Sequence, residues 1–233
     1  MIVCRSGISS DSMTVCLICA DGFADNRCLS ILRRWGIGCT VAYYSHDDTS
    51  EAPLHVYDDS LSGWNHRSQR AVSRHGDGYI NVPIIESRND VGTIETLALA
   101  RAFWLAAHLG SDDVEVVIAC DRIASIRTLE KYEGRAITGG RFAFAYALRR
   151  LRVEIIRALK KHSSIDIYYM KEKGFTKKWR PDVLSRSGVN DNILPADAGD
   201  LLQFCINYDT DNGRRKNVTG KQFVYQKLSL KLT

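Results

Sequence analysis

No apolar run in this chain approaches the roughly 18 residues that a membrane-spanning helix needs. The opening stretch, Met1-Ile-Val-Cys-Arg-Ser-Gly7, also lacks the charged start and long apolar middle of a secretory signal. Together these absences lead to the expectation of a soluble, intracellular protein with no membrane partner; cytoplasm, nucleus, organelle and virion all fit. Internal repeats and low-complexity tracts are missing too. With 45% hydrophobic and 25% charged residues, disordered and collagen-like classes are excluded. There is no Gly-x-Ser-x-Gly elbow, and no motif pairs a histidine with a reactive cysteine, so a serine or cysteine hydrolase is poorly supported. The seven cysteines are odd in number and scattered, several of them inside apolar strands, so reduced and buried thiols are the expected state. Cys16 and Cys19 have the spacing of a zinc half-site, but no second pair exists, and a strand points positions i and i+3 to opposite faces.

What is present fits one large domain with extensions: a lead-in over residues 1–12, a domain over 13–188, and an extension over 189–233. The net charge of +5 is modest, and its distribution says more than its sum. Arg149, Arg150, Arg152, Arg157, Lys160 and Lys161 crowd one helix, and Lys171 to Arg180 holds five more cations, Lys177, Lys178 and Arg180 among them. Arg214-Arg215-Lys216 lies in the tail. Clustered cations suit a polyanionic partner. Any single cluster also reads as a solvated helix face.

The chain is organised around residues 86–129. Val91 to Leu109 is Ala- and Leu-rich and carries one interior acid, Glu95; the β-branched run Val114-Glu-Val-Val-Ile-Ala-Cys120 then stops at Asp121, after which Ile123, Ile126 and Leu129 resume helical spacing. An acid at the carboxyl end of a strand in an open α/β sheet is a functional candidate. It is equally a helix N-cap candidate, and on this stretch alone the cap is the better reading.

In chain order, Met13 to Ala20 reads as a strand ending at Asp21-Gly22, and Trp35 to Tyr44 as a second strand entered through two glycines. Residues 30–34 suggest a short helical turn. Leu54 to Tyr57 is a short strand candidate ending at Asp58-Asp59. Tyr79 to Ile85 is another, with Pro83 suggesting an edge or a bulge. Asn89 or Asp90 is placed to cap the helix that holds Glu95. Arg141 to His162 is the strongest helix, with Phe144, Leu148, Leu151, Ile155 and Leu159 on one face. Ser164 to Met170 reads as the last strand. Lys171 to Lys178 reads as a basic loop, and Trp179 to Gly188 as a helical turn with Pro181 near its start.

This order of strands, helices and acids resembles the ribonuclease H family. Leu17-Ile-Cys-Ala-Asp21-Gly22 matches its apolar strand ending in Asp-Gly, and Gly36-Ile-Gly-Cys-Thr-Val41 its glycine-led second strand. Ile94-Glu95-Thr-Leu-Ala-Leu99 resembles the acid of its first helix, and Val117-Ile-Ala-Cys-Asp121-Arg-Ile-Ala-Ser-Ile126 its fourth strand and following acid. Trp179-Arg-Pro-Asp182-Val-Leu-Ser-Arg186 resembles the acid that opens the last helix, especially in its retroelement form. The resemblance covers Met13 to Ser187. It implies an α/β, ribonuclease H-like fold with a five-stranded mixed sheet flanked by helices. The spacing from Asp21 to Glu95 is long and requires an insertion at about residues 45–77. Asp58, also at a strand end and closer to Glu95, is the alternative first acid; Asp21 is preferred because the Asp-Gly turn and the Gly-x-Gly strand belong to it. The loop before the last acid lacks the histidine that many members carry.

The resemblance implies a catalytic and metal-binding set of Asp21, Glu95, Asp121 and Asp182 holding two Mg²⁺, with Mn²⁺ as a substitute. Two such ions about 4 Å apart stabilise charge on both the attacking and the leaving oxygen in phosphodiester hydrolysis. Mg²⁺ takes hard oxygen ligands. Four acids gathered without a cation would repel one another. The implied substrate is an RNA/DNA hybrid, recognised by backbone and 2′-hydroxyls, with Arg149, Arg150, Arg157, Lys160, Lys161, Lys177, Lys178 and Arg180 as phosphate contacts. A partner polymerase or a larger assembly is part of the same expectation. The alternatives are an inactive nucleic-acid-binding or assembly module, and a DNA-acting nuclease or integrase of the same fold.

Overall fold

A computed structural model of the chain describes residues 14–24, 34–45, 55–64, 91–109, 114–132, 135–137, 142–169, 180–187 and 226–231. Three strands come first: β1 (Thr14–Ala24), β2 (Arg34–Ser45) and β3 (His55–Trp64). Helix α1 (Val91–Leu109) leads to β4 (Val114–Cys120), the short α2 (Ala124–Glu130) and the long α3 (Phe142–Lys161). Strand β5 (Ser164–Tyr169), α4 (Arg180–Ser187) and β6 (Gln226–Lys231) complete the described chain.

The sheet runs β3-β2-β1-β4-β5-β6. The first three strands form an antiparallel meander; β4 and β5 lie parallel to β1, and β6 returns antiparallel along β5. The mixed, helix-flanked sheet is the one expected, with one strand more than five, because the C-terminal extension supplies β6.

Alternation along the strands sorts the two faces. Cys16, Ile18, Ala20, Val41, Cys39, Val116, Ile118, Ile165 and Ile167 share one core with the buried faces of α1 and α3. That core explains why α1 is apolar nearly all round, since it is wedged between the sheet and α3. The opposite face is covered over β2 and β1 by α4, where a Cβ on Gly36 or Gly38 would run into the backbone of Pro181 or Ser185. Among the described residues, Cys16, Cys19, Cys39 and Cys120 are buried and form no disulfide. Among the described residues no helix is long and apolar enough to cross a membrane.

Several boundaries differ from expectation. Strand β1 does not turn at Asp21-Gly22 but runs three residues past Asp21, because β2 keeps pairing with it to Ala24↔Trp35. Residue 34 opens β2 rather than closing a helical turn, and β3 continues through Asp58-Asp59 to Trp64. The span proposed as an insertion therefore contains the sheet's edge strand. The candidates at residues 79–85, 89–90 and 171–178, and the lead-in, lie outside the described residues.

Candidate active site

The site begins where two neighbouring strands stop sharing a ladder. Strands β1 and β4 pair up to Ala20↔Cys120; beyond that point β4 ends while β1 continues against β2 alone. Asp21 and Asp121 are the next residue on each strand, so the topology sets them side by side at the opening. Asp121 lies two residues ahead of the N-cap position of the following helix. The cap position of α2 is Ile123, with helical backbone angles and no side-chain hydrogen bond.

Asp21 is buried, and one of its carboxylate oxygens accepts a hydrogen bond from the Gly22 N–H at 2.8 Å. Gly22 brings α1 in: a Cβ there would lie 2.6 Å from the Glu95 backbone nitrogen, so β1 and α1 touch backbone to backbone at Glu95. From the other face, Gly38 pairs with Asp21 across the antiparallel ladder and makes room for the Pro181 carbonyl, one residue before Asp182. One glycine on β1 and one on β2, the latter paired with Asp21, thus let α1 and α4 approach opposite faces of the sheet, each close to one of the expected acids in sequence.

The Cys120 thiol is buried at the end of β4. Burial pushes the Cys120 thiol up to about 12; a backbone hydrogen bond at Arg122 works against it, and the negative charges of Asp121, Glu95 and Asp21 add smaller rises. Asp182 approaches from the α4 side, where its Oδ1 accepts a 2.6 Å hydrogen bond from Arg186 Nε while the Arg186 guanidinium lies over the Phe23 ring. Glu95 Oε2 lies 3.2 Å from Arg122 Nη1.

Asp58 lies elsewhere. It sits on β3, two strands from β1, or about 10 Å at ordinary strand spacing, and accepts a hydrogen bond from Thr40 on β2. Its neighbour Asp59 faces α1, where Arg101 holds it with hydrogen bonds of 2.7 and 2.9 Å. The arginines of this region, Arg122, Arg186 and Arg101, are what reading the sequence for carboxylates missed. The first two sit in plain view, one directly after Asp121 and one four residues after Asp182.

The donor set suits a hard divalent cation: carboxylate oxygens from four different elements at one end of the sheet. Among the described residues no three acids, histidines or cysteines stand close enough to grip an ion as they are placed. Glu95 and Asp182 are turned toward arginines instead, so a cation would have to draw them back.

The cations expected to face nucleic acid divide by role. Arg149 and Lys160 are exposed on α3. Arg150 and Arg157 both pair with Glu154, which is fully buried. Lys161 donates to the Ala107 carbonyl near the end of α1, and Arg152 donates to the carbonyls of Tyr132 and Arg135 after α2. Arg180 opens α4, while Lys177 and Lys178 fall outside the described residues.

The meander followed by parallel β4 and β5, with an acid on β1, on α1, after β4 and in the first turn of α4, settles the architecture. The fold is ribonuclease H-like. No protein-family model matches the sequence, and no curated protein resembles it at sequence level. Solved structures similar to this ribonuclease H-like chain include LC9-RNase H1, a type 1 RNase H with the type 2 active-site motif, at 14% identity and a TM-score of 0.49, over 78% of this chain and 74% of that one. RNase H1 from the halophilic archaeon Halobacterium salinarum NRC-1 is similar at 15% identity and a TM-score of 0.43, over 74% and 96% of the two chains. A protease-reverse transcriptase of prototype foamy virus is similar at 11% identity and a TM-score of 0.44, over 85% of this chain but 21% of that one.

Proposed function

We propose that this chain is a divalent-metal-dependent endoribonuclease that hydrolyses the RNA strand of RNA/DNA hybrids. What supports the reading is that Asp21 and Asp121 each follow the last β1–β4 pair, with the Glu95 backbone packed on Gly22 and the Pro181 carbonyl on Gly38. Asp21, Glu95, Asp121 and Asp182 would hold Mg²⁺, or Mn²⁺ in its place, and the bound ions would activate water and offset charge on the scissile phosphate. The chain's own contribution is placement. Gly22 and Gly38 let α1 and α4 close on β1, and the Gly22 N–H fixes one oxygen of Asp21. The exposed Arg149 and Lys160 supply positive charge for the backbone of the hybrid. A setting within a reverse-transcribing element, beside a polymerase, is favoured by the retroelement form of Trp179-Arg-Pro-Asp182-Val-Leu-Ser-Arg186.

A second reading is an inactive nucleic-acid-binding module of the same fold. It is favoured by the arginines that hold Glu95 and Asp182. Cleavage of a labelled RNA/DNA hybrid in Mg²⁺ or Mn²⁺ decides between the two. Asp121→Asn is expected to lower the rate roughly a thousandfold, about 4 kcal/mol of transition-state stabilisation, with the circular dichroism unchanged. No cleavage by the unaltered chain in either ion would sink the enzyme reading and leave the binding module. Duplex DNA cut as readily as the hybrid would place the chain among DNA-acting nucleases.

A further inference from the structure

Arg122 follows Asp121 directly, at the point where β4 has ended and the chain turns toward α2. Its guanidinium reaches back across the opening to Glu95 on α1, Nη1 to Oε2 at 3.2 Å, with the two side chains 36% and 13% exposed. The contact is made by one nitrogen, not by the two-pronged fork that gives arginine–carboxylate pairs their strength. Nη2 rests against Gly92, in the first turn of α1, where an added Cβ would lie 2.6 Å away. That turn is the positive end of the helix dipole, a poor place for a cation. Nε is buried and makes no hydrogen bond among the described residues. The guanidinium is therefore held by one acid, beside a helix end that repels it, with a donor left over.

Resting on the active-site reading above, we propose that Arg122 is an exchangeable counter-ion for Glu95. It offsets part of the acid cluster's charge, and it gives way when a divalent cation takes the Glu95 carboxylate. Arginine and metal compete for the same oxygen, so the affinity for the ion is set lower than the four acids alone would give. Gly92 is the seat of this exchange, since only a residue without a Cβ leaves room for the parked guanidinium.

The test titrates the full chain with Mn²⁺ by calorimetry, comparing it with Arg122→Gln and Gly92→Ala and checking each fold by circular dichroism. Arg122→Gln removes the competitor. Gly92→Ala dislodges it with no change in net charge, in a helix turn where alanine is the better helix former. Both variants are expected to bind Mn²⁺ about fivefold more tightly, the scale of a partly exposed ion pair. In the unaltered protein the Arg122 Nε–H signal, identified by its loss in Arg122→Gln, is expected to move in the ¹H–¹⁵N spectrum as Mg²⁺ saturates the site. Unchanged or weaker Mn²⁺ binding in both variants, or a signal that Mg²⁺ leaves in place, overturns the proposal. Tightening in Arg122→Gln alone overturns it as well, by reducing the effect to net charge. If the unaltered chain takes up no Mn²⁺ at all, the active-site reading itself falls and the counter-ion role with it; if it binds and Glu95→Gln weakens that binding, only the counter-ion is at stake.

Discussion

Two arginines reach from their own elements to an acid on a neighbouring one, and they differ in every physical respect. Arg101, in the middle of α1, meets Asp59 of β3 through two hydrogen bonds of 2.7 and 2.9 Å, with both side chains fully buried. Arg122 meets Glu95 through a single contact near solvent. The first pair joins the meander's edge strand to the central helix, and its charges have no water to fall back on. The second lies next to Asp121, where both side chains keep some exposure to solvent. Depth, not residue type, divides the two pairs.

The sharpest way to break this comparison is to cut the deep pair. Arg101→Ala leaves Asp59 buried and uncompensated and is expected to lower unfolding stability by about 3–5 kcal/mol, read from urea melts. Arg101→Met with Asp59→Leu should recover most of that loss. A small loss in the single variant would mean that water reaches the pair. Next in size, Gly38→Ala would drive a Cβ into the Pro181 carbonyl, which is backbone and cannot swing aside. A cost of about 1–3 kcal/mol is expected, with slower hybrid cleavage as the first turn of α4 shifts.

A gentler probe uses Cys39, the β2 neighbour of Asp59. Burial first, then the charge of Asp59, hold its thiol well above the ordinary value of 9.0, while Arg101 pulls the other way and Asp21 adds to the rise. A raised thiol favours the folded state below pH 9 and loses that advantage as the pH climbs, because the unfolded thiol ionises first. Stability should therefore fall above pH 9, by up to about 1.4 kcal/mol per pH unit for each such thiol. Cys39→Ala should flatten that decline in melts taken between pH 8 and 11. The smallest effect is expected at Asp58: Asp58→Asn should leave hybrid cleavage within about twofold, under half a kcal/mol, whereas Asp21→Asn is expected to abolish it. The reverse outcome would move the first acid to β3.

Helix α1 was legible in the sequence to the residue, and β4, α3 and β5 to within one, because each is a local apolar pattern ended by a change of period. The extent of β1 past Asp21 was not, since an Asp-Gly pair reads as a turn unless the partner strand that keeps it extended is known. Asp58 and Asp59 looked alike on paper. Only the register, which turns Asp58 to the α4 face and Asp59 to the α1 face, separates them. Strand β6 was illegible for a related reason: Gln226-Lys-Leu-Ser-Leu-Lys231 alternates over only six residues, and its partner β5 ends 57 residues earlier in the chain.

That distance has a consequence for how the molecule is made. At ordinary synthesis rates of about 5–20 residues per second, the outer flank of β5 waits roughly 3–11 seconds on the ribosome before its last neighbour is available to cover it. Any product that stops short of Gln226 keeps that flank bare, with its N–H and C=O groups open to a strand from another copy. Such truncated chains should be recovered as insoluble material even though every acid of the candidate site has already been translated.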